Sequence, residues 1–291
     1  MIGAARGPQG RDYQLLSTNT FTTGGTQSYS IPSGTRYLHI QMWGAGGGGG
    51  GGRAAGSRPT LYYGGGGGNG GNYGEFFFYG GDGLVLKTGA ILMGENPFTG
   101  PCNNFDMQSG DIIEFYVGNA GAGGAANGNG VAGQSTRLIS HKRNGAVVLD
   151  HDAVTGWTQD DEIIPDNYLC DSSYFYSLSV LGGQNGTSPT SIPGGSPQLS
   201  IEQIFYPDRR VGLSAGNNGT NNSGNTTTSP GGTGGRAGGT GGAGGTAGAA
   251  GANGTAGTFP GGGGGGGGSN ATTRGSGGRG ATGQVIIRAY G

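Results

Sequence analysis

Short apolar and aromatic runs, each only long enough for a strand, alternate with long runs that carry no large side chain. Residues 37–43 (Tyr-Leu-His-Ile-Gln-Met-Trp) form the strongest apolar run and predict a strand that passes straight into Gly44-Ala45-Gly46 and further glycines. Before it, Phe21, Tyr29 and Ile31 mark one or two short strands around the turn at 23–26, with strands beginning at Thr20. Residues 111–117 predict another strand that runs into glycine at Gly118, and 136–140, 146–149, 84–86 and 90–93 are shorter candidates. The last run, 284–290, must pair with the N-terminal sheet because nothing follows to cover it, so the first and last strands close the domain together. Residues 73–79 are an aromatic cluster between glycine runs, and four consecutive aromatics in a strand face alternate sides.

The glycine runs have a period. From Gly239 a glycine returns every third residue, at Gly242, Gly245, Gly248, Gly251, Gly254 and Gly257. Gly118, Gly121, Gly124, Gly130 and Gly133 keep the spacing with an interruption at Asn127, and Gly277, Gly280 and Gly283 keep it again. Three residues per turn fits the left-handed threefold helix, at about 3.1 Å rise per residue. Collagen's proline is missing between 239 and 257, which points to polyglycine II: thin threefold helices of one chain packed side by side. Such a helix has no internal hydrogen bonds, so its N–H and C=O groups need lateral partners and close backbone approach. An interior helix then needs glycine on all faces, as in 261–268, while a peripheral one exposes one or two faces. A flexible glycine linker is the alternative, and the register argues against it.

These patterns predict a mainly β protein: a small antiparallel β-sandwich fused to a bundle of polyglycine II helices, with a mixed insertion. The divisions are an N-terminal attachment arm (1–18), the first part of the glycine-rich β domain (19–142), an insertion subdomain (143–213), and the glycine lattice with its closing strand (214–291). The insertion is marked by a change to ordinary globular residues, among them Trp157, Tyr168 and Phe175.

Composition narrows the function more than it names it. Of 291 residues 76 are glycine and only 11% are charged, with a net charge of −1, so no basic patch supports nucleic-acid binding. No run approaches the roughly 18 apolar residues of a membrane span, and no apolar leader follows Met1. Cys102 and Cys170 form no CxxC; one disulfide and two free thiols both remain open. Neither Lys87 nor Lys142 completes a phosphate-binding loop. The acidic turn 150–162 lacks calcium-loop spacing, and no nucleophile motif or carboxylate pair announces a hydrolase. No enzyme activity, cofactor or metal is expected.

Met42-Trp43-Gly44-Ala45-Gly46-Gly47-Gly48, the strand ending Tyr116-Val117-Gly118, and the closing Gly280-Ala281-Thr282-Gly283-Gln284-Val285-Ile286-Ile287 resemble the glycine-rich domain of bacteriophage tail-fibre and other virion surface proteins. The likeness covers roughly 20–140 and 231–291. More distant is a similarity to polyglycine II tip adhesins of T-even-like phages, whose loops select the host receptor. The resemblance implies a virion surface protein that binds a host glycan or outer-membrane protein and joins other virion proteins, here through residues 1–18. A capsid decoration or head fibre without receptor contact is the other virion role, and the oligomeric state stays open, a homotrimer included. Receptor-contact candidates are Arg58, Tyr62, Tyr63, Tyr73, Phe76, Phe77, Phe78, Tyr79 and Trp157, on loops 53–63 and 72–83 and in the insertion; for the aromatics, a core role is the alternative. Gly44, Gly46, Gly118, Gly121, Gly124 and the series Gly239 to Gly257 are the expected structural glycines.

Overall fold

A computed structural model describes residues 5–6, 12–54, 62–80, 85–88, 107–150, 179–186 and 228–291. Among these residues the regular structure is all strand, with no helix. In chain order the strands are β1 (Ala5–Arg6), β2 (Asp12–Tyr13), β3 (Leu15–Phe21), β4 (Gly25–Ser30), β5 (Tyr37–Trp43), β6 (Arg53–Ala54), β7 (Tyr62–Tyr63), β8 (Tyr73–Gly80) and β9 (Val85–Thr88). They continue as β10 (Met107–Gln108), β11 (Ile112–Val117), β12 (Thr136–Arg143), β13 (Ala146–Asp150), β14 (Ser179–Val180), β15 (Thr228–Ser229), β16 (Ser269–Asn270) and β17 (Gln284–Tyr290).

Two antiparallel sheets carry the core. One has the order β10-β9-β8-β5-β17-β3; the other runs β13-β12-β11-β4, with β14 also paired to β12. The closing strand β17 lies between β5 and β3, as the sequence requires, with Val285 opposite both Met42 and Phe21. Alternation decides which side chains meet. Leu38, Ile40 and Met42 of β5 and Val285, Ile287 and Ala289 of β17 share one buried cluster with Ile113, Phe115 and Val117 of β11 and Leu138 of β12. Phe21 packs edge-on against Phe115, centroids 4.7 Å apart. Burying an aliphatic or aromatic side chain of this size stabilises by about 1.5–3 kcal/mol. Beneath the second sheet, Asp111 has a side chain only 2% exposed, held by Arg143 Nε at 2.9 Å and donated to by the Gln108 N–H at 2.8 Å.

One expectation changes here. The first long strand begins at Leu15 rather than Thr20, because Leu15 and residues 17–21 find partners on β17. The strands flanking the turn at 23–26 belong to different sheets, β3 pairing β17 and β4 pairing β11. The candidate strand at 90–93 lies outside the described residues, as does most of the proposed insertion.

The glycine segments are neither α-helix nor strand, and their backbones bond to one another with a three-residue recurrence. Segment 44–52 illustrates it. The N–H groups of Gly44, Gly47 and Gly50 donate to Asn72, Asn69 and Gly66; those of Ala45, Gly48 and Gly51 to Gln134, Val131 and Gly128; those of Gly46, Gly49 and Gly52 to Ala281, Gly278 and Gly275. Its carbonyls accept from three further segments, through Gly121 and Gly124, through Gly183 and Gly186, and through Gly264 and Gly267. Segment 261–268 is surrounded in the same way: it donates to 252–258, 232–235 and 47–50, and accepts from 65–71, 245–248 and 275–281. Segments 44–52, 64–72 and 261–268 are buried throughout. At the periphery burial itself has the period: Gly251, Gly254 and Gly257 are half-buried and the two residues after each are exposed.

Close approach explains the glycine. A Cβ on Gly46 would lie 2.1 Å from the Gly262 carbonyl oxygen, and one on Gly265 would lie 2.0 Å from that of Thr246. Gly44 and Gly46 lie in 44–52; Gly118, Gly121 and Gly124 in the segment after β11; Gly242, Gly245, Gly248, Gly254 and Gly257 in the two segments before 261. Gly239 and Gly251 differ. They occupy turns with φ of +59° and +79°, a left-handed backbone that only glycine adopts without strain. A β-branched residue at 251 is therefore opposed first by that dihedral and by Thr273 Oγ1, 2.1 Å from its Cβ, rather than by segments forced apart.

Candidate functional site

The described residues form two poles. β5 runs into 44–52 and 283 runs into β17, so the glycine segments leave the sheets at one end; the turns at 126–128 and 249–252 lie at the far end, and those at 238–241 and 259–261 lie back against the sheet junction. At the sheet pole, Gln14 and Gly291 exchange both backbone hydrogen bonds at 2.9 Å, and the Arg36 N–H donates to the Tyr290 carbonyl at 2.7 Å. Tyr37 stacks between Tyr13, at 6.0 Å, and Tyr290, at 5.0 Å. Gln14 and Gly291 are thus fixed on the side away from the turns.

The opposite pole gathers the turns of several segments. One chain of bonds ties them together: Asn127 N–H to Gly52 at 2.9 Å, Gly52 N–H to Gly275 at 2.9 Å, Gly275 N–H to Gly268 at 2.7 Å, and Gly268 N–H to Ala252 at 2.8 Å. On this end sit two minimal ladders, β6 with β7 and β15 with β16. Two fully buried serines fasten them: Ser229 Oγ accepts from the Gly64 N–H at 3.0 Å, and Ser269 Oγ donates to the Arg53 carbonyl at 3.2 Å. Asn270 Oδ1 accepts from the N–H groups of Thr272 and Thr273, at 2.9 and 2.7 Å, which shapes the exposed turn 271–274.

The distal pole holds Tyr62 and Tyr63, both half-buried in β7, with Arg53 opposite Tyr63 and Ala54 opposite Tyr62. Arg274 bridges Ser269 beside them. The other aromatic candidates lie elsewhere. Tyr73 is a correction: it is 7% exposed at the junction of sheet and glycine, its ring 4.7 Å from Trp43. Its hydroxyl accepts from Gln41 Nε2 at 2.8 Å, and burial pushes its pKa up to about 12. Trp43 Nε1 donates to the Gly238 carbonyl at 3.2 Å, so this pair welds sheet to glycine segment and offers no platform to a partner. Phe76, Phe77, Phe78 and Tyr79 are likewise not on a loop: their backbone is strand β8, paired to β5 with Phe77 opposite His39. Arg58 and Trp157 lie outside the described residues, as do Cys102 and Cys170.

A polar cluster on the outward face of the first sheet went unnoticed in the sequence. His39 Nε2 bonds Glu75 Oε1, Gln41 Nε2 reaches Tyr73, and Arg288 Nη1 donates to Gln41 Oε1 at 2.6 Å. Burial lowers the His39 pKa more than Glu75 raises it, which favours the neutral ring. Alternation along 37–43 and 284–290 was the available signal, since His39, Gln41 and Arg288 all fall on the face opposite the aliphatic one. Among the described residues no group of three side chains could hold a metal ion, and no helix is long and apolar enough to cross a membrane.

A sequence profile of the glycine-rich domain matches residues 21–290. The chain belongs to the glycine-rich domain family. Among curated proteins none matches it. The matched span begins at the last residue of β3 and ends with β17, so it takes in every described glycine segment and both sheets except for most of the edge strand β3.

Proposed function

We propose that the chain is a bacteriophage virion surface protein, a tail-fibre or fibre-tip adhesin, in which polyglycine II helices fused to a small β-sandwich present loops to a host-cell receptor. The supporting observation is the two-pole arrangement. Gln14 and Gly291 are bonded together at the sheet pole, and the turns at 126–128 and 249–252 gather with 269–274 at the other. The threefold helix is supported by partners that change direction with each successive residue and recur every third. The sandwich is supported by a cluster drawing side chains from both sheets.

The mechanism is preorganisation. Each turn is anchored by segments whose backbone groups bond to neighbours, so little loop entropy is lost when a partner docks. Tyr62 and Tyr63 are the described contacts for a surface glycan or outer-membrane protein loop. Attachment to other virion proteins is assigned to residues 1–18, of which Tyr13 and Gln14 lie at the sheet pole. The role needs no catalysis, cofactor, nucleic acid or membrane insertion, and its place is the virion surface.

Fluorescently labelled protein should bind permissive cells and block phage adsorption, and Tyr62→Ser/Tyr63→Ser should weaken both. Failure to bind any permissive host, with density for the chain on the capsid in a particle reconstruction, would replace the adhesin by a capsid decoration.

A further inference from the structure

The net charge of −1 conceals a segregation. The glycine segments and distal turns (44–54, 62–72, 118–135, 181–186 and 228–283) contain no Asp or Glu, and they hold Arg53, Arg236, Arg274 and Arg279. The described carboxylates with a basic side-chain partner, Glu75 with His39, Asp111 with Arg143 and Glu114 with Lys142, are all in or beside the sheets. Among the described residues none of these four arginines has a carboxylate partner. Two of them meet at the distal pole. Their main chains meet at Ser269: its hydroxyl donates to the Arg53 carbonyl, Arg274 forms a backbone bridge with it, and the adjacent Gly52 N–H donates to Gly275. Arg53 is half-buried, and among the described residues no carboxylate pairs with it. An anion at this pole would meet two arginines whose main chains share Ser269, and guanidinium bonds to an anion are the stronger, charge-assisted kind.

We propose that the distal pole takes an anionic saccharide, a phosphate- or carboxylate-bearing sugar of a cell-surface polysaccharide. Arg53 and Arg274 engage the charge, and Tyr63, opposite Arg53 in the β6–β7 ladder, lies against the ring. The inference rests on the adhesin reading and names its receptor chemistry. Guanidinium matches carboxylate and phosphate oxygens two at a time, and tyrosine offers an apolar face with a polar tip, the pairing that a charged sugar requires. A nucleic acid would call for a longer row of basic contacts along its backbone, whereas these segments contain no lysine.

The test uses the full chain against immobilised phosphorylated lipopolysaccharide, the same material after chemical dephosphorylation, a uronic-acid polymer and neutral dextran, across a salt series. The wild type should bind one or both anionic polymers in a salt-sensitive way and ignore dextran. Arg53→Gln/Arg274→Gln should weaken that binding about fivefold or more, the loss expected from two exposed charge contacts. Arg53→Lys/Arg274→Lys should retain more of it than the Gln pair. Equal binding by the Gln variant, no binding of the wild type to either anionic polymer, or tighter binding to a single-stranded oligonucleotide would overturn the proposal. Cell attachment separates the two claims. Wild-type attachment unchanged in the Gln variant ends this inference and leaves the adhesin; polymer binding without cell attachment ends the adhesin and leaves the anion site.

Discussion

Gly49 lies in the middle of segment 44–52, donating to Gly278 at 2.9 Å and accepting from Gly124 at 2.8 Å. A Cβ there would sit 2.2 Å from the Gly265 carbonyl oxygen, against about 3.4 Å for ordinary contact. Gly49→Ala must therefore push segment 261–268 away by about 1.2 Å (3.4 − 2.2). The bonds from Gly264 to Gly47 and from Gly267 to Gly50, both 2.9 Å, would stretch to about 4.1 Å, beyond hydrogen-bonding range. Leaving two buried pairs unmade costs about 2–6 kcal/mol. Alanine restricts the unfolded chain and returns about 0.4–1 kcal/mol. The net loss is a large part of a typical domain stability of about 5–15 kcal/mol. Urea unfolding followed by circular dichroism measures it, with Ala256→Ser, at an exposed position, expected within about 0.5 kcal/mol of wild type. If Gly49→Ala is as mild as Ala256→Ser, the close contact between the two central segments is not what holds them together.

Three further outcomes are expected. Hydrogen exchange by mass spectrometry should find the amides of 46–52 and 262–268 opening only with global unfolding, and those of 252–259, with one face exposed, exchanging sooner. Arg143→Ala should cost about 3–5 kcal/mol in urea titration, because it strands the buried Asp111 carboxylate; Arg143→Ala/Asp111→Asn should recover part of the loss. Hydrogen bonds from Lys142 and Ser140, with the Lys142 charge, hold the Glu114 pKa below its ordinary 4.5. The contribution is present above that value and fades as pH falls through the lowered one. Melting temperature should therefore drop more steeply in acid for wild type than for Glu114→Gln.

Much of the local structure was legible. Strand 37–43 and the closing strand 284–290 declared themselves by apolar side chains long enough for one sheet crossing, and a terminal apolar strand has to find a pair. Neither the face of each aromatic nor its role could be read from the cluster at 73–79. Tyr73 looks like its neighbours in sequence and is buried only because Trp43 and the backbone at Gly238 arrive beside it. Arg53 and Arg274, more than two hundred positions apart, gave no sign that they share an end of the molecule.

By itself the sequence determined that glycine recurs at every third position, and so that each such backbone can be approached closely from a fixed direction. It also determined where apolar strand gives way to glycine. Which segment lies against which, and that 44–52 and 261–268 stand at the centre, was decided only by the tertiary structure. So was the fact that Gly239 and Gly251, in perfect period with the rest, turn the chain instead of continuing it. The physical reason is that glycine carries no side chain by which to choose a partner: every segment offers the same donors and acceptors, and only the sheets and turns that tie their ends fix the neighbours.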